Sequence, residues 1–204
     1  MAINFQFGNF GTTHREDAIK RAGTTWDQRL RVTQAITIHA CWLPYPTGIK
    51  LAAMCIPNGI LGAPNCLPNT WYTTALARNI ALSPKPLIPA NQPDMTIIFN
   101  SNLKDAQGKL QWYDGSAGKI TADQYDFESV ALHEICHGLG MLGLLFVDAN
   151  GQGYYGSDLL TQQIPAAFQQ EQVLGFKLPQ LQNLPSIFTT VSYTHLTLPT
   201  NREV

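Results

Sequence analysis

The sequence predicts an α+β domain, and three observations carry that reading. Short alternating or continuous apolar runs, the mark of strands, fall mostly in the first half of the chain. The most sharply bounded helix comes after them, at residues 126–140. With 204 residues the chain is long enough for one sizeable core and too short for two ordinary ones.

The elements follow in order. Ile3 to Phe7 alternates apolar and polar residues and reads as a first strand. From Asp17 to Val32, Ile19, Ala22, Trp26 and Leu30 recur at spacings of three and four, one face of an amphipathic helix. Ala35 to Trp42 alternates again and reads as a second strand. Residues 43 to 70 concentrate Pro, Gly and Asn, which predicts one long irregular connection. Trp71 to Leu82 suits a short helix. Met95 to Phe99 (MTIIF) is continuously apolar, as a strand buried on both faces should be, so it is expected at the centre of a sheet. Leu110 to Tyr113 is a further short strand.

Four cysteines are present, Cys41, Cys55, Cys66 and Cys136. Cys55 and Cys66 bracket the turn-rich segment CIPNGILGAPNC. A disulfide closing it would remove about 3 kcal/mol of unfolded-state entropy. Free thiols packed as small apolar residues are the alternative.

Composition narrows the function classes. Net charge is -1 and no basic run occurs, which argues against nucleic acid or an anionic membrane as partner. Charged residues are only 13%, and Asn, Gln, Thr, Ser and Pro supply the polarity instead, a balance expected of an exported protein. No stretch approaches the ~20 apolar residues of a membrane-spanning helix. No secretory signal follows Met1, so an export signal is expected upstream of this start. The last residues, VSYTHLTLPTNREV, resemble the translation of a transposon-derived sequencing adapter. The domain is therefore expected to span residues 1–190, truncated, with 191–204 a non-native tail, and His195 takes no part in the functional argument.

The chemistry concentrates in DFESVALHEICHGLG, Asp126 to Gly140. Asp126 is placed to cap a helix by accepting from its orphan N–H groups, and Glu128 suits the positive end of the helix dipole. Val130, Ala131, Leu132, Ile135 and Leu139 make the helix apolar enough to be largely buried, and Gly138 and Gly140 are expected to end it. His133 and His137 are four residues apart, so they lie about 40° apart around the axis and one turn apart along it. Two imidazoles so placed can converge on one ion at Zn–N distances of ~2 Å. Glu134 falls on the same side, where its carboxylate would act as general base and acid on a metal-activated water. Burying three such polar groups without a metal or partners would cost several kcal/mol, which argues against a chance match.

At these residues the chain resembles the zincin metallopeptidases, more narrowly their metzincin-like branch. HEICHGLG matches His-Glu-x-x-His-x-x-Gly, and MTIIFNSN, WYDG and YDFESVALHEICHGLG are similar to segments of secreted bacterial proteins of that type. The resemblance implies a zincin-like fold, a twisted mixed sheet packed on an active-site helix, with an edge strand that binds extended peptide. Leu110 to Tyr113 is the candidate for that edge. It also implies a Zn2+ cofactor held by His133 and His137, Glu134 as the catalytic residue, and a peptide or protein substrate.

Two departures qualify it. The metzincin pattern sets a third ligand three residues after the glycine, but Gly143 stands there and has no side chain to ligate. No methionine follows Met141, so the Met-turn is missing. The third ligand is sought in Asp148, Asp158, Glu171 or a residue beyond the truncation, since a zinc hydrolase normally has three protein ligands. A catalytically degenerate zincin-like binding or adhesion module is the alternative function. Cys136 is expected to pack rather than ligate, His14 to lie at the surface or in a cap, and His39 is assigned no role. Tyr154 and Tyr155 are weak candidates for oxyanion stabilisation.

Overall fold

Period-two alternation places Ile3, Phe5 and Phe7 on one side of β1 (Ile3–Gly8), which opens the chain. The computed structural model describes residues 3–30, 32, 34–47, 49, 51–61, 71–81, 89, 92–116, 118–141, 145–147 and 153–155. After β1 comes α1 (Thr13–Leu30), which buries Ala18, Ile19, Ala22 and Gly23. It begins four residues before the apolar periodicity does, because its first turn is polar, and it takes in His14.

The chain continues through β2 (Ile36–Leu43), β3 (Ala53–Pro57), β4 (Gly59–Leu61), β5 (Trp71–Thr73) and α2 (Thr74–Ala81). Then follow β6 (Met95–Asn100), β7 (Trp112–Tyr113), β8 (Tyr125–Asp126), α3 (Phe127–Gly138), β9 (Leu145–Val147) and β10 (Gly153–Tyr155). The chain is thus mixed α+β, with a mixed sheet of order β1-β2-β6-β3. β1, β2 and β6 run parallel, with Ile3 opposite Ile36 and Ile38 opposite Met95. β3 closes one edge antiparallel to β6, with Ala53 opposite Phe99.

These registers align one face of all four strands. Ile3, Ile38, Ala53 and Ile97 point from it into the main core, where α1 and α3 cover them with Ile19, Phe127 and Ile135. Phe99 stacks on Phe127 at a centroid distance of 4.4 Å, anchoring the start of α3 over the sheet. The opposite face carries a smaller cluster of Cys41, Ile56 and Ile98 under Tyr45. β6 is buried along its whole length, as its continuous apolar sequence predicts.

The region read as one irregular connection contains two strands. β3 pairs with β6 and β4 with β5, so non-local pairing orders a stretch whose Pro and Gly content signals only turns. The helix expected from Trp71 starts at Thr74, because β5 takes the first three residues. The Leu110–Tyr113 segment is not an edge of the main sheet. Its last two residues form β7, which pairs with β8. The Trp112 indole is buried and donates to the Asn100 carbonyl at 2.8 Å, so the segment closes the end of β6 instead of extending the sheet. No described helix is long and apolar enough to cross a membrane.

Candidate functional site

α3 is set by local chemistry at its start. Asp126 is the N-cap, accepting from the Ser129 N–H at 2.8 Å and the Ser129 hydroxyl at 2.6 Å. Glu128, in the first turn, pairs with Arg21 of α1 at 2.7 Å. Further along, the Trp26 indole donates to the Leu132 carbonyl at 3.1 Å. α1 therefore holds the helix at two points in its N-terminal half, the second adjoining His133.

The other side of α3 meets the sheet. Gly138 is its last residue, and a Cβ there would overlap Met95 Sδ, with Met95 Cβ only 3.1 Å away. Gly138 thus serves close approach of helix to sheet, while Gly140, at φ 113, turns the chain away. α3 ends at Gly138 and the chain turns at Gly140, as expected, with the close approach to Met95 an additional role of Gly138.

His133 and His137 come together as their spacing requires. Their Nε2 atoms are 2.9 Å apart and their rings stand at 81°, with centroids 4.4 Å apart. His137 Nδ1 lies 2.7 Å from the Met141 carbonyl oxygen. The burial expected of all three polar groups is not found. His133 is exposed and His137 half-buried, because both face outward from α3, and only Glu134 is buried, at 6% exposure.

Glu134 turns toward β3, where its carboxylate accepts the backbone N–H of Cys55. Burial pushes its pKa up to about 7, an effect the Cys55 N–H partly offsets. The helix thus presents two imidazoles to solvent and holds a carboxyl, with a pKa near neutrality, against the edge strand. Cys55 had no signal in the sequence for this role. It lies in a segment without alternation, and its contribution is a backbone group.

The donor set suits a borderline metal. Two nitrogen lone pairs 2.9 Å apart must share a proton or a cation. Ligands at ~2 Å from one zinc ion are spaced by about 3 Å. The two histidines therefore fit as part of a zinc site. Among the described residues no group of three His, Cys, Asp or Glu side chains is gathered to hold a metal. Gly143, Asp148, Asp158 and Glu171 all lie outside the described residues, and so does the adapter-like tail. The side chains of Tyr154 and Tyr155 are likewise undescribed.

The remaining cysteines and histidines stand apart from this pair. Cys55 is a free, buried thiol in contact with the Gly138 backbone, and burial raises its pKa well above the usual thiol value. Cys66 lies outside the described residues, and the expected Cys55–Cys66 pairing lies outside them with it. Cys136 is half-buried, with its Sγ 3.3 Å from Met141 Sδ. On β2, Cys41 Sγ is 3.4 Å from His39 Nε2. Burial pushes the Cys41 thiol up to about 11 and lowers the His39 pKa, so both shifts favour the neutral forms. Comparison with protein-family models, with curated proteins and with solved structures finds no match to the chain.

Proposed function

We propose that the protein is a zinc-dependent endopeptidase of zincin-like fold, with His133 and His137 as two of the metal ligands. The observation that carries this reading is the convergence of the two Nε2 atoms beside a buried carboxyl on the next residue. When bound, zinc would polarise a scissile carbonyl and lower the pKa of an attacking water. Glu134 is the residue that would accept a proton from the attacking water and pass it to the leaving amine. A carboxyl with its pKa raised to about 7 suits both steps, because it is neither a very weak base nor a very weak acid at neutral pH.

β3 takes the place first assigned to Leu110–Tyr113. It is the sheet edge that contacts Glu134, and among the described residues its strand partner is β6. An extended peptide adding along its free side would lie beside α3, held by main-chain hydrogen bonds. Exported character remains part of the proposal and rests on the low charge and polar composition alone.

The alternative, a degenerate zincin-like binding module, draws support from the Cys55–Glu134 hydrogen bond, which occupies the carboxylate in a structural contact. Metal analysis and hydrolysis of an unfolded protein substrate separate the two. The endopeptidase reading expects about one zinc per chain, lost in His133→Ala, and hydrolysis lost in Glu134→Gln with zinc retained. Hydrolysis that survives Glu134→Gln would remove Glu134 as the base. Folded protein that holds no zinc and hydrolyses nothing favours the binding module.

A further inference from the structure

The end of α3 is built as a glycine-capped helix terminus. Gly140 donates its N–H to the His137 carbonyl at 2.9 Å, and Met141 donates to the Cys136 carbonyl at 3.1 Å. This pair of bonds, spanning four and six residues, defines a helix end closed by a residue of positive φ, here Gly140 at 113. Such ends usually carry an apolar contact between the residue after the glycine and the helix residue whose carbonyl it caps. Met141 Sδ against Cys136 Sγ at 3.3 Å is that contact. The reversal brings the Met141 carbonyl back onto the ring of His137, 2.7 Å from Nδ1.

We infer that this turn is the positioning device of His137: Gly140 delivers the Met141 carbonyl to His137 Nδ1, which keeps the proton there and leaves Nε2 bare for a metal. A neutral imidazole donates from one nitrogen only, and a carbonyl oxygen can only accept. With Nδ1–H committed to Met141, His137 Nε2 is the acceptor, and His133 Nε2–H donates to it across the 2.9 Å gap. For a metal to bind both Nε2 atoms, the His133 proton would have to move from Nε2 to Nδ1, whereas His137 would need no such shift. Carbonyl partners of this kind orient metal-ligating histidines and raise their basicity. The spacing His137-x-x-Gly140 is therefore read as geometry. The histidine sits in the last turn, three positions before Gly140, so the turn closes onto its ring.

The inference rests on His137 being a metal ligand, but its primary test does not. Long-range 1H–15N correlation spectra of the 15N-labelled full chain, metal-free and well above the ordinary histidine pKa, read the tautomers directly. The expected result is Nδ1–H at His137 and Nε2–H at His133. Gly140→Ala disfavours the positive φ, so His137 should shift to the Nε2–H form and zinc affinity should fall about 10–100-fold. Met141→Leu keeps the carbonyl and an apolar contact and should change neither. An Nε2–H tautomer at His137 in the unaltered chain overturns the inference, whether or not Gly140→Ala folds. A folded Gly140→Ala protein that retains Nδ1–H does the same. Nδ1–H in a chain that binds no zinc would uphold the turn's action on His137 and defeat the endopeptidase reading instead.

Discussion

The backbone N–H of Cys55, on the edge strand β3, donates to the Glu134 carboxylate of α3, joining the sheet edge to the proposed catalytic helix through a buried hydrogen bond. Replacing Glu134 therefore has a structural effect separable from chemistry. Glu134→Gln keeps an oxygen that can accept from Cys55, whereas Glu134→Ala leaves a buried N–H without its acceptor. That loss costs about 1–3 kcal/mol. Urea unfolding of the two metal-free variants should show Glu134→Ala clearly less stable than Glu134→Gln. Equal midpoints would mean that the hydrogen bond contributes nothing to the fold.

The contact between Gly138 and Met95 sets how closely α3 lies on β6. Gly138→Ala should destabilise the protein by about 1–3 kcal/mol through overpacking, despite the better helix propensity of Ala. Truncating the neighbour should relieve part of this, so Gly138→Ala with Met95→Ala should cost less than the sum of the single changes. Thermal melts of the four proteins complete the cycle, and strict additivity would show that the two sites do not touch.

Asp126 is predicted to matter through its cap. Asp126→Ala removes the acceptor for the Ser129 N–H and hydroxyl and should cost about 1 kcal/mol. Asp126→Asn retains an acceptor and should cost less. A shift in the urea midpoint without a change in slope is the signature to look for. An unaltered midpoint in Asp126→Ala would show that Ser129 finds another partner at no cost.

Asp94 supplies a pH dependence of known sign. It is fully buried, accepts the Thr37 N–H at 2.8 Å and pairs with Arg78 at 3.2 Å. Burial raises its pKa above 3.8, outweighing the Thr37 N–H, Arg78 and the Thr74 hydroxyl, which all act to lower it. A carboxyl whose pKa is higher folded than unfolded binds its proton more tightly in the fold. Its stabilising effect is full below 3.8 and is lost as pH rises through the folded value. Asp94→Asn should remove this decline, so the gap between variant and parent should change with pH above 3.8. Parallel stability–pH curves for the two proteins would contradict it.

Much of this was legible in the sequence, for identifiable reasons. Ile3–Gly8, Ile36–Leu43 and Met95–Asn100 were readable because period-two or continuous apolar patterns survive at the level of single segments. The helix at Phe127–Gly138 was readable from its cap, its apolar residues and Gly140. The meeting of His133 and His137 followed from helical geometry alone, since residues four apart share a face.

The tertiary structure decided what depends on partners remote in sequence. β3 has no alternation to betray it and exists because β6 pairs with it, which moved the sheet edge from Leu110–Tyr113 to Ala53–Pro57. Gly138 ends α3 as its residue type predicts, but its close packing on Met95 depends on the sheet. Most of all, a helix periodicity says which residues share a side but not what that side meets. Packing against β3 buried Glu134 and raised its pKa, while its neighbours on the same helix, His133 and His137, were left facing outward. Local hydrogen bonds and periodicity thus fixed where the two imidazoles stand, whereas long-range packing fixed the environment that gives the carboxyl beside them its chemistry.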